Sequence, residues 1–338
     1  MEQMPETLAG NGHDEKVPIS VLTGFLGSGK TTFLRRALSS AACPDTAVVI
    51  NEIGEIGLDH YLVETADGPV LELPGGCLCC AVREDLAATF RGLLARRDAA
   101  GGRMFQRMVI ETTGLADPAP ILFTLGADAV LDRRLRFDRM VTAVDATLGA
   151  ATLDRFSEAA RQVAMADCLL ITKTDLAPYD TPLRRRIEGL NRDAEQFIGA
   201  GEIDAAAVLF GSAPAAMRPR PSTAPGEHTH GVASFAVVLR RGCSRVDFAR
   251  ALGGLARDRG EDLLRIKGLV QFTDRPGEVG FLQGAQHALY PPVWLKGWPD
   301  TDRRSRLVFV VHRIERQEIL ERFAFAGAEP FSPPPAGG

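Results

Sequence analysis

The fold of this chain is decided by nine residues, Gly24-Phe25-Leu26-Gly27-Ser28-Gly29-Lys30-Thr31-Thr32. They fit the pattern Gly, four residues, Gly-Lys-Ser/Thr, between a predicted buried strand at 17–23 and a predicted helix at 32–38. This setting is typical of a loop whose backbone N–H groups bind the phosphates of a nucleotide. Within it, we predict that Lys30 contacts the β- and γ-phosphates and that the Thr31 hydroxyl contacts Mg²⁺. The predicted nucleotide contacts of the loop are Gly24, Gly27, Ser28, Gly29, Lys30, Thr31 and Thr32.

Length and composition limit the classes of protein to consider. A chain of 338 residues exceeds what one core usually serves, so we expect two domains. The net charge of −4 argues against general binding to nucleic acid, whose phosphates need a basic surface. Residues 1–16 are polar and are predicted to be disordered rather than a signal peptide, and no apolar run is long enough to span a bilayer. We therefore expect a cytoplasmic protein with no membrane partner.

Cysteine usage indicates a metal site rather than disulfides. Thiols stay reduced in the cytosol, and three of the six cysteines lie within the four positions 77–80, after a Pro-Gly-Gly turn. The thiolates of Cys77, Cys79 and Cys80 suit Zn²⁺ and can suit Co²⁺ or Cu⁺. A fourth ligand is open between water, a partner protein and a side chain such as Glu52 or His60. An open position favours a metal that is handed on over a structural metal.

Acidic residues at two further places are predicted to serve the nucleotide. Residues 51–59 follow a short apolar strand and alternate acids with glycines, so Glu52 or Asp59 is a candidate for the Mg²⁺ shell. Another strand, at 107–110, ends at Glu111, which would orient a water on Mg²⁺. Gly114, three residues later, can present its N–H to the γ-phosphate.

A later predicted strand, at 168–171, ends in Thr172-Lys173-Thr174-Asp175, which resembles the Asn-Lys-x-Asp motif that recognises guanine. Asp175 could accept the guanine N1–H and N2–H, and the stem of Lys173 could lie along the base. Thr172 in place of Asn weakens one contact and leaves the specificity for guanine open. A further strand is predicted at 207–213, where Ser212 and Ala213 could touch the guanine edge.

These motifs all follow predicted strands that alternate with helices, for example the helices predicted at 86–97 and 152–166. The pattern predicts an α/β fold of the P-loop NTPase type at 17–212, with a mostly parallel sheet and helices on both faces. A Pro-rich linker at 213–230 precedes a smaller α+β domain at 231–325, and 326–338 is predicted to be a flexible tail. In the smaller domain, Arg265 and Lys267 alternate with apolar residues and should face one side of a strand.

Residues 24–32, 51–59, 75–80 and 111–118 together resemble the CobW-like family of P-loop GTPases, of which Cys-x-Cys-Cys between the nucleotide motifs is the signature. Residues 264–272 look like the C-terminal domain of that family. The resemblance implies a GTP-hydrolysing metallochaperone that delivers zinc, or cobalt, to a client protein. It implies that Lys30 and Glu111 are catalytic, that Thr31, Glu52 and Glu111 serve Mg²⁺, and that Cys77, Cys79 and Cys80 bind the delivered metal.

Two other classes of protein remain open at this point. A metabolic P-loop kinase would share the phosphate loop but gives no reason for the three cysteines. A non-enzymatic zinc-binding adaptor would bind nucleotide without hydrolysing it. The oligomeric state is also open.

Overall fold

The structure is a computed structural model that describes residues 16–39, 43, 45–51, 70–73, 80–102, 104–199, 203–211 and 230–332. Within this part of the chain, no helix has both the length and the apolar character needed to cross a membrane.

The N-terminal domain is built on a parallel sheet that has seven strands among the described residues. Their spatial order is β3-β2-β4-β1-β5-β6-β7, and each neighbouring pair runs in the same direction. The strands are β1 (Val17–Gly24), β2 (Thr46–Asn51), β3 (Val70–Leu73), β4 (Arg107–Thr112), β5 (Leu135–Asp145), β6 (Cys168–Thr172) and β7 (Glu195–Ile198). Because all carboxyl ends share one edge, the motifs that follow β1, β4 and β6 lie along that edge.

Helices cover both faces of this sheet, which confirms the predicted α/β fold. They are α1 (Lys30–Ser39), α2 (Cys80–Ala99), α3 (Ala119–Ala127), α4 (Ala129–Arg134), α5 (Gly149–Arg155), α6 (Ser157–Met165), α7 (Thr181–Leu190) and α8 (Ala205–Phe210). One core cluster contains Phe90 of α2, Leu122 of α3 and Val163 of α6. A separate cluster contains Leu34 of α1 and Val208 of α8, so these two helices lie on the opposite face.

Two predicted elements of this domain need correction, and strand β7 was missed. The strand predicted at 207–213 is wrong, because residues 205–210 form α8, whose first N–H groups are capped by the Asp204 carboxylate. The helix predicted at 152–166 is two helices, since Phe156 is extended between them and its ring stacks on Phe25 at 4.5 Å. Strand β7 was not predicted, because four residues at a sheet edge carry little periodic signal.

The C-terminal domain is an antiparallel sheet with two helices on one face, as expected for α+β. Its elements are β8 (Val232–Leu239), α9 (Arg245–Arg259), β9 (Arg265–Val270), β10 (Val279–Ala285), β11 (Ala288–Leu289), β12 (Val293–Leu295), β13 (Ser305–His312), α10 (Arg316–Arg322) and β14 (Ala328–Pro330). The order is β11-β10-β9-β13-β8-β14, with β12 paired to β10. Strand β14 corrects the predicted start of the flexible tail at 326, because residues 328–330 pair with β8.

The two domains pack directly against each other. Leu264 and Val310 of the C-terminal domain belong to the same buried cluster as the N-terminal core. Arg265 and Lys267, which share one face of β9 as predicted, both form ion pairs with Asp167, the residue immediately before β6. Arg265 also donates to the carbonyl oxygen of Ala166 at 2.7 Å. The interface therefore combines an apolar core with a buried charge cluster.

Candidate functional site

The phosphate loop connects the end of β1 to the start of α1 at the carboxyl edge of the sheet. Gly24, Gly27 and Gly29 have φ values of 140°, 69° and 89°, which side chains on L residues rarely allow. A Cβ on Gly24 would lie 2.4 Å from the carbonyl oxygen of Ala143 on β5. These three glycines are therefore required by the shape of the loop, as the motif predicts.

Lys30 folds back over this loop. Its ammonium donates to the carbonyl oxygens of Gly24 at 2.8 Å and Phe25 at 3.2 Å, and the residue is buried. These carbonyls hold the cation beside the curl of the backbone, where phosphate oxygens could replace them as partners.

Thr31 and Glu111 meet although 80 positions separate them in the chain. The Thr31 hydroxyl donates to Oε1 of Glu111 at 2.6 Å, where β4 ends beside the start of α1. Glu111 is buried. A hydroxyl and a carboxylate are hard oxygen ligands of the kind Mg²⁺ prefers, so these residues fit the ion predicted for them.

The loop after β4 lies against the phosphate loop. A Cβ on Gly114 would fall 2.5 Å from the backbone nitrogen of Leu26, so only glycine allows this approach. At the base of the same loop, the Thr112 hydroxyl donates to the Thr23 hydroxyl at 2.8 Å. The structure thus places Gly114 beside the phosphate loop, while its contact with a γ-phosphate stays a prediction.

The predicted base-recognition loop also contacts the phosphate loop. Thr172 donates its hydroxyl to the Ser28 carbonyl oxygen at 2.7 Å, across 144 positions of sequence. Lys173 has a left-handed φ of 55°, and Asp175 is exposed at the rim. The threonine that departs from the guanine motif therefore joins the two loops.

Asp145, the last residue of β5, is a member of this site that sequence reasoning missed. Its Oδ2 accepts a hydrogen bond from the Lys173 ammonium at 2.5 Å, and its Oδ1 accepts from the Thr147 hydroxyl at 2.6 Å. Burial opposes the charged carboxylate, but these hydrogen bonds outweigh it and lower the pKa of Asp145. Its position in the sequence could have indicated it, because Asp145 ends a buried strand as Glu111 does.

Several predicted site residues lie outside the described part of the chain. These are Glu52, Asp59, His60, Cys77, Cys79, Ser212 and Ala213. Cys80 is described as the first residue of α2. Among the described residues, no group of three or more His, Cys, Asp or Glu side chains could hold a metal ion. The predicted Cys-x-Cys-Cys site therefore stays a prediction.

The described strand ends still indicate where that segment is anchored. Strand β3, which ends at Leu73, lies three places from β1 in a sheet with a spacing of about 4.8 Å, so the two strand ends are roughly 14 Å apart. Leu73, the last described residue before the Cys segment, thus lies at the same edge of the sheet as the phosphate loop.

Comparison with known proteins agrees with this arrangement. Residues 18–198 match the family described as CobW/HypB/UreG, nucleotide-binding domain, and residues 232–326 match the cobalamin synthesis protein CobW C-terminal domain. The zinc chaperone YjiA of Escherichia coli is 33% identical over 318 residues, covering 92% of this chain and 98% of that protein. The zinc chaperone CobW of Pseudomonas aeruginosa is 30% identical, with 92% of each chain covered.

A solved structure extends the likeness to the fold. The crystal structure of the Zn(II)-bound YjiA GTPase from E. coli has a TM-score of 0.67 and 28% identity, and the match covers 92% of this chain and 99% of that one.

The fold and the loop geometry define a P-loop nucleoside triphosphate hydrolase with a packed C-terminal α+β domain. The two family matches together span most of the chain, and it belongs to the CobW family. Its enzyme class is GTPase. This assignment favours the GTPase interpretation over the kinase and the non-enzymatic adaptor.

Proposed function

We propose that this GTPase binds a transition metal ion, most readily Zn²⁺, at Cys77, Cys79 and Cys80 and passes it to a client metalloprotein under control of the bound nucleotide. Co²⁺ is the second candidate ion, because thiolates accept both. The observation that carries the proposal is the position of Leu73 and Cys80, which tie the Cys segment to the edge that carries the phosphate loop. The zinc chaperones among the relatives support the choice of metal.

In this proposal the phosphate loop binds Mg-GTP. Lys30 contacts the β- and γ-phosphates, and the peptide N–H of Gly114 faces the γ-phosphate. Thr31 and Glu111, which already share a hydrogen bond, hold Mg²⁺ together with Glu52. The ion supplies positive charge that screens the phosphate oxygens. Asp175 and Lys173 read the base, and Asp145 holds the Lys173 ammonium.

In this proposal, a change in loop conformation couples nucleotide hydrolysis to metal binding. Residues 51–59 precede the Cys segment and residues 111–117 follow α2, so in sequence the Cys segment lies between two loops that the proposal assigns to the triphosphate site. Loss of the γ-phosphate on hydrolysis releases such loops and alters the geometry of the three sulfurs between them. The intrinsic affinity of thiolates cannot select the ion, since copper would displace zinc. The geometry of the loop and the supply of metal must therefore determine which ion is bound. We expect slow intrinsic hydrolysis that a partner or the metal accelerates.

The test is an equilibrium titration with Zn²⁺ and Co²⁺ in the presence of Mg-GDP or a non-hydrolysable Mg-GTP analogue. Metal affinity should differ by at least about fivefold between the two states. Cys79→Ser should abolish high-affinity metal binding and leave the nucleotide affinity measured without metal unchanged. Equal metal affinity in both states would contradict the coupling.

Cys243→Ser is the matched control. This thiol is buried in the C-terminal core, and burial raises its pKa to about 11, so it is a poor metal ligand at neutral pH. The control variant should bind metal as the wild type does. Loss of metal in this variant would indicate a general effect of removing a thiol.

A further inference from the structure

The loop that carries Gly114 is bound through its backbone by the side chain of Gln162 on α6. Its Nε2 donates to the carbonyl oxygens of Gly114 at 3.2 Å and Ala116 at 3.0 Å. The side chain is fully buried. The two acceptors determine the orientation of the amide, because the opposite orientation would place Oε1 against two carbonyl oxygens.

Gln162 is itself held firmly against the sheet. The Thr142 hydroxyl on β5 donates to the backbone carbonyl oxygen of Gln162 at 2.8 Å. Its neighbour Val163 lies in the main core cluster of the domain. The Gln162 amide is therefore fixed in the core of the domain, and it can hold the Gly114 loop in a defined position.

We propose that Gln162 is a positioning residue for GTP hydrolysis, which holds the Gly114 peptide at the distance from the phosphate loop that a γ-phosphate requires. The inference rests on the role proposed above for Gly114. The fit at that point is close, since a Cβ on Gly114 would lie 2.5 Å from the backbone nitrogen of Leu26. A shift of the loop by a fraction of an ångström thus changes the donor geometry, which governs rate more than affinity.

The proposal makes a specific distinction between nucleotides. GDP has no γ-phosphate, so its binding does not use Gly114. Loss of the Gln162 hydrogen bonds should therefore weaken GTP relative to GDP and slow hydrolysis. A residue that only stabilised the fold would leave the ratio of the two affinities unchanged.

The first test is Gln162→Met, which retains the length of the side chain and removes both donors. We expect kcat for GTP to fall about tenfold with GDP affinity unchanged, as loss of two hydrogen bonds to a positioned loop implies. Single-turnover hydrolysis gives the rate, and calorimetric titration with GDP and a non-hydrolysable GTP analogue gives the affinity ratio.

Asn191→Leu is the matched control, because Asn191 is another buried amide that donates to backbone carbonyls of the same region. Its Nδ2 donates to the carbonyl oxygens of Val163 at 2.8 Å, Ala164 at 3.2 Å and Ala166 at 2.8 Å, at the C-terminal end of α6. The control should lower the melting temperature at least as much as Gln162→Met. It should leave kcat and the ratio of GTP to GDP affinity unchanged.

Gln162→Glu gives a second readout that does not depend on comparing stabilities. When protonated, the introduced carboxyl retains one donor for the two carbonyls, and when ionised it retains none. Its kcat relative to that of Gln162→Met should therefore rise as the pH falls. Asp117 and Arg161, the charged neighbours, are common to both variants and cancel in this comparison.

Two results would overturn the inference. One is a folded Gln162→Met variant whose kcat and affinity ratio equal those of the wild type. The other is a Gln162→Glu variant whose relative kcat does not depend on pH, with the wild type as the reference if the Met variant does not fold. Gly114→Ala separates the two proposals. If it slows hydrolysis while Gln162→Met does not, only the role of Gln162 fails, and if it has no effect, the proposed role of Gly114 fails.

Discussion

Two buried charged clusters lie at opposite edges of the same parallel sheet, and they differ in what their charges contact. At the carboxyl edge, the Lys30 ammonium donates to backbone carbonyls, which are partners that a phosphate can replace. At the amino edge, the Asp167 carboxylate is bound by Arg265 and Lys267 from the other domain. In the first cluster, a ligand can replace the partners of the cation. In the second cluster, the opposite charges pair with one another and join the two domains. A buried charge thus indicates function only when its partners are exchangeable.

The largest expected effect is at the domain interface. Asp167→Ala leaves two buried cations without their carboxylate, so we expect a loss of about 3–5 kcal/mol in the free energy of unfolding. Urea denaturation measures it. The control is Asp258→Ala, which breaks a half-exposed pair with Arg322 and should cost less than about 1 kcal/mol. Equal losses of unfolding free energy in the two variants would show that the interface ion pairs stabilise the fold no more than a half-exposed pair does.

The next largest effect is at the phosphate loop. Lys30→Ala removes the cation proposed to stabilise charge on the phosphates, and we expect kcat to fall by about 10²–10³. Because its partners are carbonyls of a loop, the melting temperature should change far less than in Asp167→Ala. Phosphate release and thermal unfolding measure the two quantities, with the exposed Lys296→Ala as control. A large fall in stability with little change in rate would reverse the contrast between the clusters.

Acid should weaken the interface cluster specifically. Burial would raise the pKa of Asp167, but the charges of Lys267 and Arg265 lower it from 3.8 to about 2. Between these values the unfolded chain binds a proton that the folded chain does not, so stability present above pH 3.8 is lost as the pH falls towards 2. The loss is about 2 kcal/mol. The stability difference between the wild type and Asp167→Asn should shrink over this range, and a constant difference would contradict the assignment.

The same cluster loses a charge at alkaline pH, at Lys267. Burial and repulsion from Arg265 lower the pKa of Lys267 to about 8. The single carboxylate of Asp167 lies beside two cations. The charged form of Asp167 is therefore stabilised, whereas the charged form of Lys267 is not. The Asp167 carboxylate and the Lys267 ammonium are charged together only between about pH 2 and pH 8.

The smallest expected effect concerns the contact between the two nucleotide loops. Thr172→Val removes the hydrogen bond to the Ser28 carbonyl, and we expect GTP and GDP affinity to fall together by about threefold to tenfold, as the loss of one hydrogen bond implies. Thr172→Asn, which restores the usual guanine motif, should recover both. Fluorescent nucleotide titration measures them. A loss confined to GTP would place the effect at the γ-phosphate instead.

The sequence predicted the site best where the constraint is local. The positive φ of Gly24 and Gly29 follows from the phosphate-loop pattern itself. By contrast, Gln162 carries no motif, and nothing in its neighbours indicates that it would reach Gly114. The residues at 207–213 show the limit of pattern alone, since a short apolar run fits a strand or a helix until its Asp204 cap is considered.

The sequence by itself determined the class of fold, the phosphate loop, the strand ends that carry Glu111 and Thr172, and the family. These features depend on backbone constraints and on periodicity within a few residues. Tertiary structure alone decided that Thr31 meets Glu111, that Thr172 meets Ser28, and that Asp167 meets the cations of β9. Such contacts depend on strand order, register and domain packing, which many distant residues set together.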